Sequence, residues 1–262
     1  MTRVSLFTPG AHPVIGHRGA SARAPENTLP SFARALEEGA DAIELDVHVT
    51  ADGVPVVIHD PTLDRTTDAT GAVAALPLAR VQAADAGARF TADGGRTYPW
   101  RARGVRVPTL DEVLVAHPDT PMIVEIKTPA ASPAVAHALR EHDAASRCVL
   151  MSFEAAALEP FAHGGWMLGA TSREAVALLA PAPLRPRAES LRYRILCVPE
   201  TWHGVPIPMH RLAAAAARLG RPTHVWVVDD PARARRLWRR GVAGVVTNQP
   251  AEMIAERDRF TP

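Results

Sequence analysis

The sequence predicts an α/β protein: a TIM-type (β/α)8 barrel, irregular near a hairpin at 42–59, with a small inserted segment at about 61–107. Three observations predict it. Short β-branched runs alternate with helix-length amphipathic segments from start to finish, which argues for a parallel sheet with helices outside. The length of 262 residues suits one barrel of about 250 residues, so 1–262 reads as a single barrel domain. Finally, Asp52-Gly53 between two β-rich runs is a hairpin signal, which accounts for a ninth candidate strand where a regular barrel has eight. An open doubly wound sheet is the runner-up.

Taken in order, Val14-Ile15-Gly16 reads as the first strand. Asn27 or Thr28 caps a helix running to about Glu38, and Gly39 stops it. Strands follow at Ala42–Val49 and Val56–His59. The stretch 61–107 lacks periodicity and is rich in turn residues. A helix capped by Thr109 runs to Ala116, then come a strand at Met122–Lys127 and a helix at Pro133–His142. The alternation continues with strand 147–152, helix 154–161, strand 166–170 and helix 172–180. The last third repeats it: strand 194–198, helix 208–219, strand 224–228, helix 231–240, strand 242–247 and helix 250–259.

Composition excludes several classes. Lys plus Arg number 29 against 28 Asp plus Glu, and a net charge of +1 gives no support to a nucleic-acid-binding surface. No run approaches the ~20 apolar residues of a membrane span, and no stretch reads as a signal peptide or amphipathic anchor. Cys148 and Cys197 each lie inside an apolar strand-like run and read as buried free thiols, which suits a reducing, cytoplasmic setting. Nothing in the sequence fixes an oligomeric state.

The chemistry begins in the strand Ala42–Val49. Alternation puts Ile43, Leu45, Val47 and Val49 on one face and Glu44, Asp46 and His48 on the other. Two carboxylates pointing into a barrel carry a large desolvation cost, which a metal ion would relieve. With Asp52-Gly53 as a two-residue turn, Asp46 falls directly opposite His59 on the same face. His17-Arg18-Gly19 follows the first strand, at the barrel end where catalytic groups gather. His17 offers an imidazole that titrates near neutrality, and Arg18 a planar fork suited to phosphate oxygens. Glu125 and Lys127 share one face at another strand end, and Lys127 is the only lysine in the chain. His48, nearer the turn, reads as a rim residue. His203 and His210 sit in a late loop with Trp202 and read as solvated, with lining of the substrate entrance as the alternative. Trp226 reads either as core or as an apolar wall under a substrate alkyl group.

These residues fall into a pattern that resembles the glycerophosphodiester phosphodiesterase family. The match runs through His17-Arg18-Gly19-Ala20, Pro25-Glu26-Asn27-Thr28, Gly39–Val47, Asp52-Gly53 and Val56–Asp60, with Arg65-Thr66 beyond. Shorter matches follow at Val107–Val113, Glu125-Ile126-Lys127, Ser152-Phe153 and Val225–Val228. The resemblance implies a TIM-type barrel that hydrolyses glycerophosphodiesters to sn-glycerol 3-phosphate and an alcohol. By motif position it implies Glu44, Asp46 and Glu125 as metal ligands, His17 and His59 as the acid/base pair, and Arg18 and Lys127 as phosphate contacts. Three carboxylates suit a hard cation, Mg²⁺ or Ca²⁺. The nucleophile implied is either water or the substrate's own neighbouring hydroxyl, which would give a cyclic phosphate. Two positions depart from the family pattern: Asp229, where Asn is frequent, and Asn248, where Asp is usual. A lysophospholipase D or sphingomyelinase D type activity on the same barrel is the rival among enzymes. A non-catalytic phosphate-ligand-binding barrel is the rival from another class.

Overall fold

The computed structural model describes residues 4–181 and 184–261. Eight parallel strands close into a barrel. In order around it they are β1 (Val14–His17), β2 (Ala42–Val49), β4 (Met122–Ile126), β5 (Cys148–Met151), β6 (Met167–Gly169), β7 (Tyr193–Pro199), β10 (Thr223–Trp226) and β11 (Gly244–Thr247). β11 pairs back onto β1, so no edge is left open. The short strand β3 (Pro55–Val57) hangs antiparallel on the end of β2. A separate hairpin of β8 (Thr201–Trp202) and β9 (Val205–Pro206) follows β7.

Helices fill the crossovers: α1 (Leu29–Glu37), α2 (Leu78–Gln82), α3 (Leu110–Ala116), α4 (Ser132–Glu141), α5 (Ala155–Leu158), α6 (Ser172–Ala177), α7 (Met209–Ala217), α8 (Pro231–Arg239) and α9 (Pro250–Arg257). Local chemistry starts and stops them. Thr28 caps α1, with Pro30 in its first turn, and Gly39 follows its end at φ +94°. Thr109 and Glu112 form a reciprocal capping box on α3. Asp230 caps α8, with Pro231 as its first residue. The helix expected over 154–161 is α5 followed by a 3-10 turn at Glu159–Phe161. The helix expected over 172–180 stops at Ala177.

Strand alternation sorts the core into two shells. Outward residues such as Ile43, Leu45, Val124, Leu150, Leu196 and Val245 pack under the helices. Inward residues Ile15, Ala42, Ile123, Val149, Ile195 and Val246 fill the barrel's N-terminal floor with Leu6. His224 joins that floor, its ring 3.0 Å from the Leu6 carbonyl. Burial holds its pKa down to about 4, so it packs as a neutral ring. Both cysteines are buried and unbridged.

The hairpin differs from the expected register by one residue. Val47 pairs with Val57 and Val49 with Pro55, so Asp46 lies opposite Ile58, not His59. The turn holds three residues, Ala51 to Gly53, closed by the Thr50 N–H on the Val54 carbonyl at 3.0 Å. Gly53 takes the left-handed position that such a turn requires, at φ +82°. The segment after β3 is not structureless. It carries a 3-10 turn and α2, and packs Leu63, Val73, Val81 and Val107 on Val56 and Ile58 as a satellite core.

Candidate active site

One cavity of about 1210 Å³, open mouth included, sits at the C-terminal ends of the barrel strands. His17, Arg18, Glu44, Asp46, His59, Glu125, Lys127 and Trp226 all line it. Inward alternation carries Glu44 and Asp46 above Ala42, and Glu125 above Ile123. His59 arrives differently from the expectation. β3 ends at Val57, and the bend at 59–60 turns the ring into the cavity. His48 is buried, not on the rim, and its Nε2 lies 3.1 Å from the His59 carbonyl, propping that bend.

The β1 end is a tight turn. Arg18 adopts a left-handed φ of +53°, which costs a non-glycine residue about 1–3 kcal/mol. The turn is held by its contacts: the Arg18 N–H donates to Glu44 Oε2 at 3.0 Å, and its carbonyl accepts from Asn27 N–H and Ser31 Oγ. Gly19 sits against helix α1, and a Cβ there would stand 2.5 Å from the Ser31 carbonyl carbon.

Glu44, Asp46 and Glu125 each bring a carboxylate oxygen to within 4.8 Å of the others. Their compensation is unequal. Lys127 Nζ lies 2.8 Å from Asp46 and 2.7 Å from Glu125. Arg18 Nε is 3.1 Å from Asp46, and Asn27 Nδ2 donates to the same carboxylate at 2.8 Å. Burial alone would raise Asp46, but the Lys127 and Arg18 charges outweigh it and hold it low. Among the described residues Glu44 has no cationic side chain in contact. Burial, then the Asp46 and Glu125 charges, push its carboxyl well above the usual range. Glu125 is also raised, chiefly by burial. Three converging carboxylates, of which Glu44 feels Arg18 only at a distance and through its backbone N–H, fit a hard divalent cation.

A second network supports the histidines. His59 Nδ1 lies 2.6 Å from Asp60 Oδ1. Arg65 bridges Asp60 and Glu26, and Glu26 accepts from Arg18 at 2.7 Å. The Arg65 hydrogen bond holds the Asp60 carboxyl far below its ordinary value. His17 Nδ1 lies 2.7 Å from Asn248 Oδ1. Burial, then the Arg18 charge, push the His17 imidazole down. Glu26, Asp60 and Arg65 stand inside the sequence motifs, but nothing in their spacing announces that they join up.

The remaining wall is apolar. Phe153 after β5, Val176 on α6, Trp202 on β8 and Trp226 at the end of β10 line it with Leu179 and Ile207. Phe153 stacks on Trp202 with ring centres 6.0 Å apart and meets Trp226 edge-on at 6.0 Å. Trp226 is therefore a wall residue that also leans on the barrel floor. His203 and His210 are exposed, and neither lines the cavity.

A sequence model of the "Glycerophosphoryl diester phosphodiesterase family" matches residues 17–252. A glycerophosphodiester phosphodiesterase of Caldanaerobacter subterraneus subsp. tengcongensis is 34% identical over 251 residues, covering 92% of this chain and 96% of that one. A crystal structure of a glycerophosphodiester phosphodiesterase from Agrobacterium tumefaciens superposes with a TM-score of 0.74 at 29% identity, covering 93% of this chain and 99% of that one. An Oleispira antarctica phosphodiesterase solved with the product sn-glycerol-3-phosphate gives 0.75 at 26% identity, covering 96% and 98%. On that evidence this chain is an enzyme that belongs to the glycerophosphoryl diester phosphodiesterase family.

Proposed function

We propose that the enzyme hydrolyses glycerophosphodiesters to sn-glycerol 3-phosphate and an alcohol, with Glu44, Asp46 and Glu125 holding Mg²⁺ or Ca²⁺. The observation that carries this is the meeting of two histidines, two cations and three carboxylates at one end of one cavity. A bound cation would supply Lewis-acid charge to the phosphoryl oxygens. Arg18 and Lys127 offset charge on the non-bridging oxygens, which is commonly the largest catalytic term. One of His17 and His59 takes a proton from the nucleophile, either water or the substrate's own neighbouring hydroxyl, and the other gives a proton to the departing alcohol oxygen; the hydroxyl route forms a cyclic phosphate that water then opens to the monoester. The two buried free thiols support a reducing, cytoplasmic setting.

The test is turnover of glycerophosphocholine with Mg²⁺ or Ca²⁺, before and after chelation, in wild type and in His17→Ala and His59→Ala. The reading requires loss of activity in all three treatments. Folded histidine variants at full rate would remove the acid/base pair.

The apolar wall favours a second reading of the substrate. Phe153, Trp202, Val176 and Ile207 offer an acyl chain an apolar, solvent-facing surface continuous with the phosphate site. Lysophosphatidylcholine assayed beside glycerophosphocholine separates the two: a higher kcat/KM on the monoacyl lipid selects lysophospholipase D chemistry.

A further inference from the structure

β10, β11 and β1 are neighbours in the barrel; Asp229 and Asn248 stand just past the ends of the first two, and His17 ends the third. We propose that Asp229 and Asn248 form a positioning relay that fixes which nitrogen of His17 carries its proton. The proposal deepens the hydrolase reading and rests on it for its catalytic consequence, though not for its geometry.

The hydrogen bonds leave one consistent assignment. Asp229 Oδ1 accepts from Thr247 Oγ1 at 2.9 Å and from the Asn248 backbone N–H at 2.8 Å. Its Oδ2 lies 2.7 Å from the Asn248 side-chain amide. An ionised carboxylate only accepts, so the Asn248 NH₂ must face Asp229 and its Oδ1 must face the other way. That oxygen meets Ser21 Oγ at 2.6 Å and His17 Nδ1 at 2.7 Å. An amide oxygen also only accepts, so Nδ1 must carry the proton. A neutral imidazole has one N–H, and Nε2 is therefore left as a bare lone pair. That is the form in which a ring can accept a proton from an attacking hydroxyl.

The relay joins the two positions at which the sequence departs from the pattern it resembles. Asp229 and Asn248 are in direct contact, so the two departures amount to one exchange of an Asn/Asp pair. The exchange leaves His17 on a neutral acceptor and places the negative charge one residue behind it. His59 contrasts with this, since its Nδ1 meets the Asp60 carboxylate directly. Asp229 does not touch the cavity. It acts only by denying Asn248 the flipped orientation, which would offer His17 a donor and move the imidazole proton to Nε2.

The test reads the tautomer itself. Full-length protein labelled with ¹⁵N-histidine, with Mg²⁺ present, is examined by NMR at a pH where His17 is neutral. Its signals are identified by their loss in His17→Gln. The relay predicts a protonated Nδ1 and an unprotonated Nε2. Asp229→Asn keeps acceptors for Thr247 and the Asn248 N–H but frees the amide to flip. It is expected to mix the tautomers and to lower kcat on glycerophosphocholine on the order of 10², with KM little changed. Asn248→Asp alone sets two carboxylates together and is expected to lose rate as well. The double exchange Asp229→Asn with Asn248→Asp restores an acceptor for Nδ1, the single tautomer and most of the rate. An Nε2-protonated His17 in wild type would overturn the relay. So would an Asp229→Asn variant with unchanged tautomer and unchanged kcat, or a double exchange no better than the single variants. If wild type shows the locked tautomer but does not cleave the diester, the hydrolase reading fails and the relay stands.

Discussion

The two halves of the barrel mouth are built from the same strand–loop–helix unit and carry opposite chemistry. The ends of β1, β2, β3 and β4 supply His17, Arg18, Glu44, Asp46, His59, Glu125 and Lys127. The ends of β5, β6, β7 and β10 supply Phe153, Val176, Trp202 and Trp226. Below both halves the inward residues are mostly aliphatic, with Cys197 and the neutral His224 among them. The difference therefore lies above that floor, in the upper inward positions of the strands and the segments that follow them. A phosphodiester with an apolar substituent matches this division: charge at one wall, hydrocarbon at the other. Under the proposed function, reaction type and substrate choice sit on separate segments, so each can be broken without the other.

The largest expected effect breaks the polar half alone. His17→Ala and His59→Ala should each lower kcat by about 10²–10⁴ on every diester tried, because each removes a proton transfer. Steady-state kinetics on folded variants checks this. A loss limited to one substrate would show that the histidines select substrate instead.

A smaller effect breaks the apolar half alone. Phe153→Ala and Trp202→Ala should lower kcat/KM on lysophosphatidylcholine by about tenfold each, the scale of losing part of one buried aromatic contact. Rates on glycerophosphocholine should barely move. Equal losses on both substrates would mean that the wall shapes the site as a whole.

The smallest effect is on stability and concerns Glu44. The folded chain holds the Glu44 proton more tightly than the unfolded chain does. Without a cation, this group costs stability as pH rises from the ordinary carboxylate range through its raised value. Glu44→Gln removes that cost and keeps an acceptor for the Arg18 N–H. In chelator at neutral pH the variant should melt higher than wild type, by about 2–4 °C for each ~1 kcal/mol recovered. It should also lose much of the cation-induced rise in Tm. A lower melting point in chelator would show that the Glu44 charge is already compensated.

The polar half was legible in the sequence because its residues lie on or next to strands with a spacing of two: 44 and 46 within one strand, 125 and 127 at the end of another. Alternation alone turns such pairs to one face. The barrel was legible from the same periodicity. His59 was reached by a flawed route. Reading Asp52-Gly53 as a two-residue turn set the register one residue out, and the ring enters the cavity because the strand ends early. The apolar half was mostly illegible. Phe153, Val176 and Trp202 come from a loop, helix α6 and the β8–β9 hairpin with no shared spacing, and each alone looks like ordinary core or surface. Only Trp226, at a strand end, pointed to a wall. The β8–β9 hairpin escaped notice because strands of two residues carry no period. Asn248 and Asp229 were visible as departures, but their contact is a tertiary fact.

The most direct measurement of the central claim is hydrolysis of glycerophosphocholine by chelated enzyme during titration with Mg²⁺ or Ca²⁺, in wild type and in Glu44→Gln. The account predicts no turnover in excess EDTA, saturable recovery in wild type as cation is restored, and little recovery in Glu44→Gln. Full turnover in excess EDTA would contradict it.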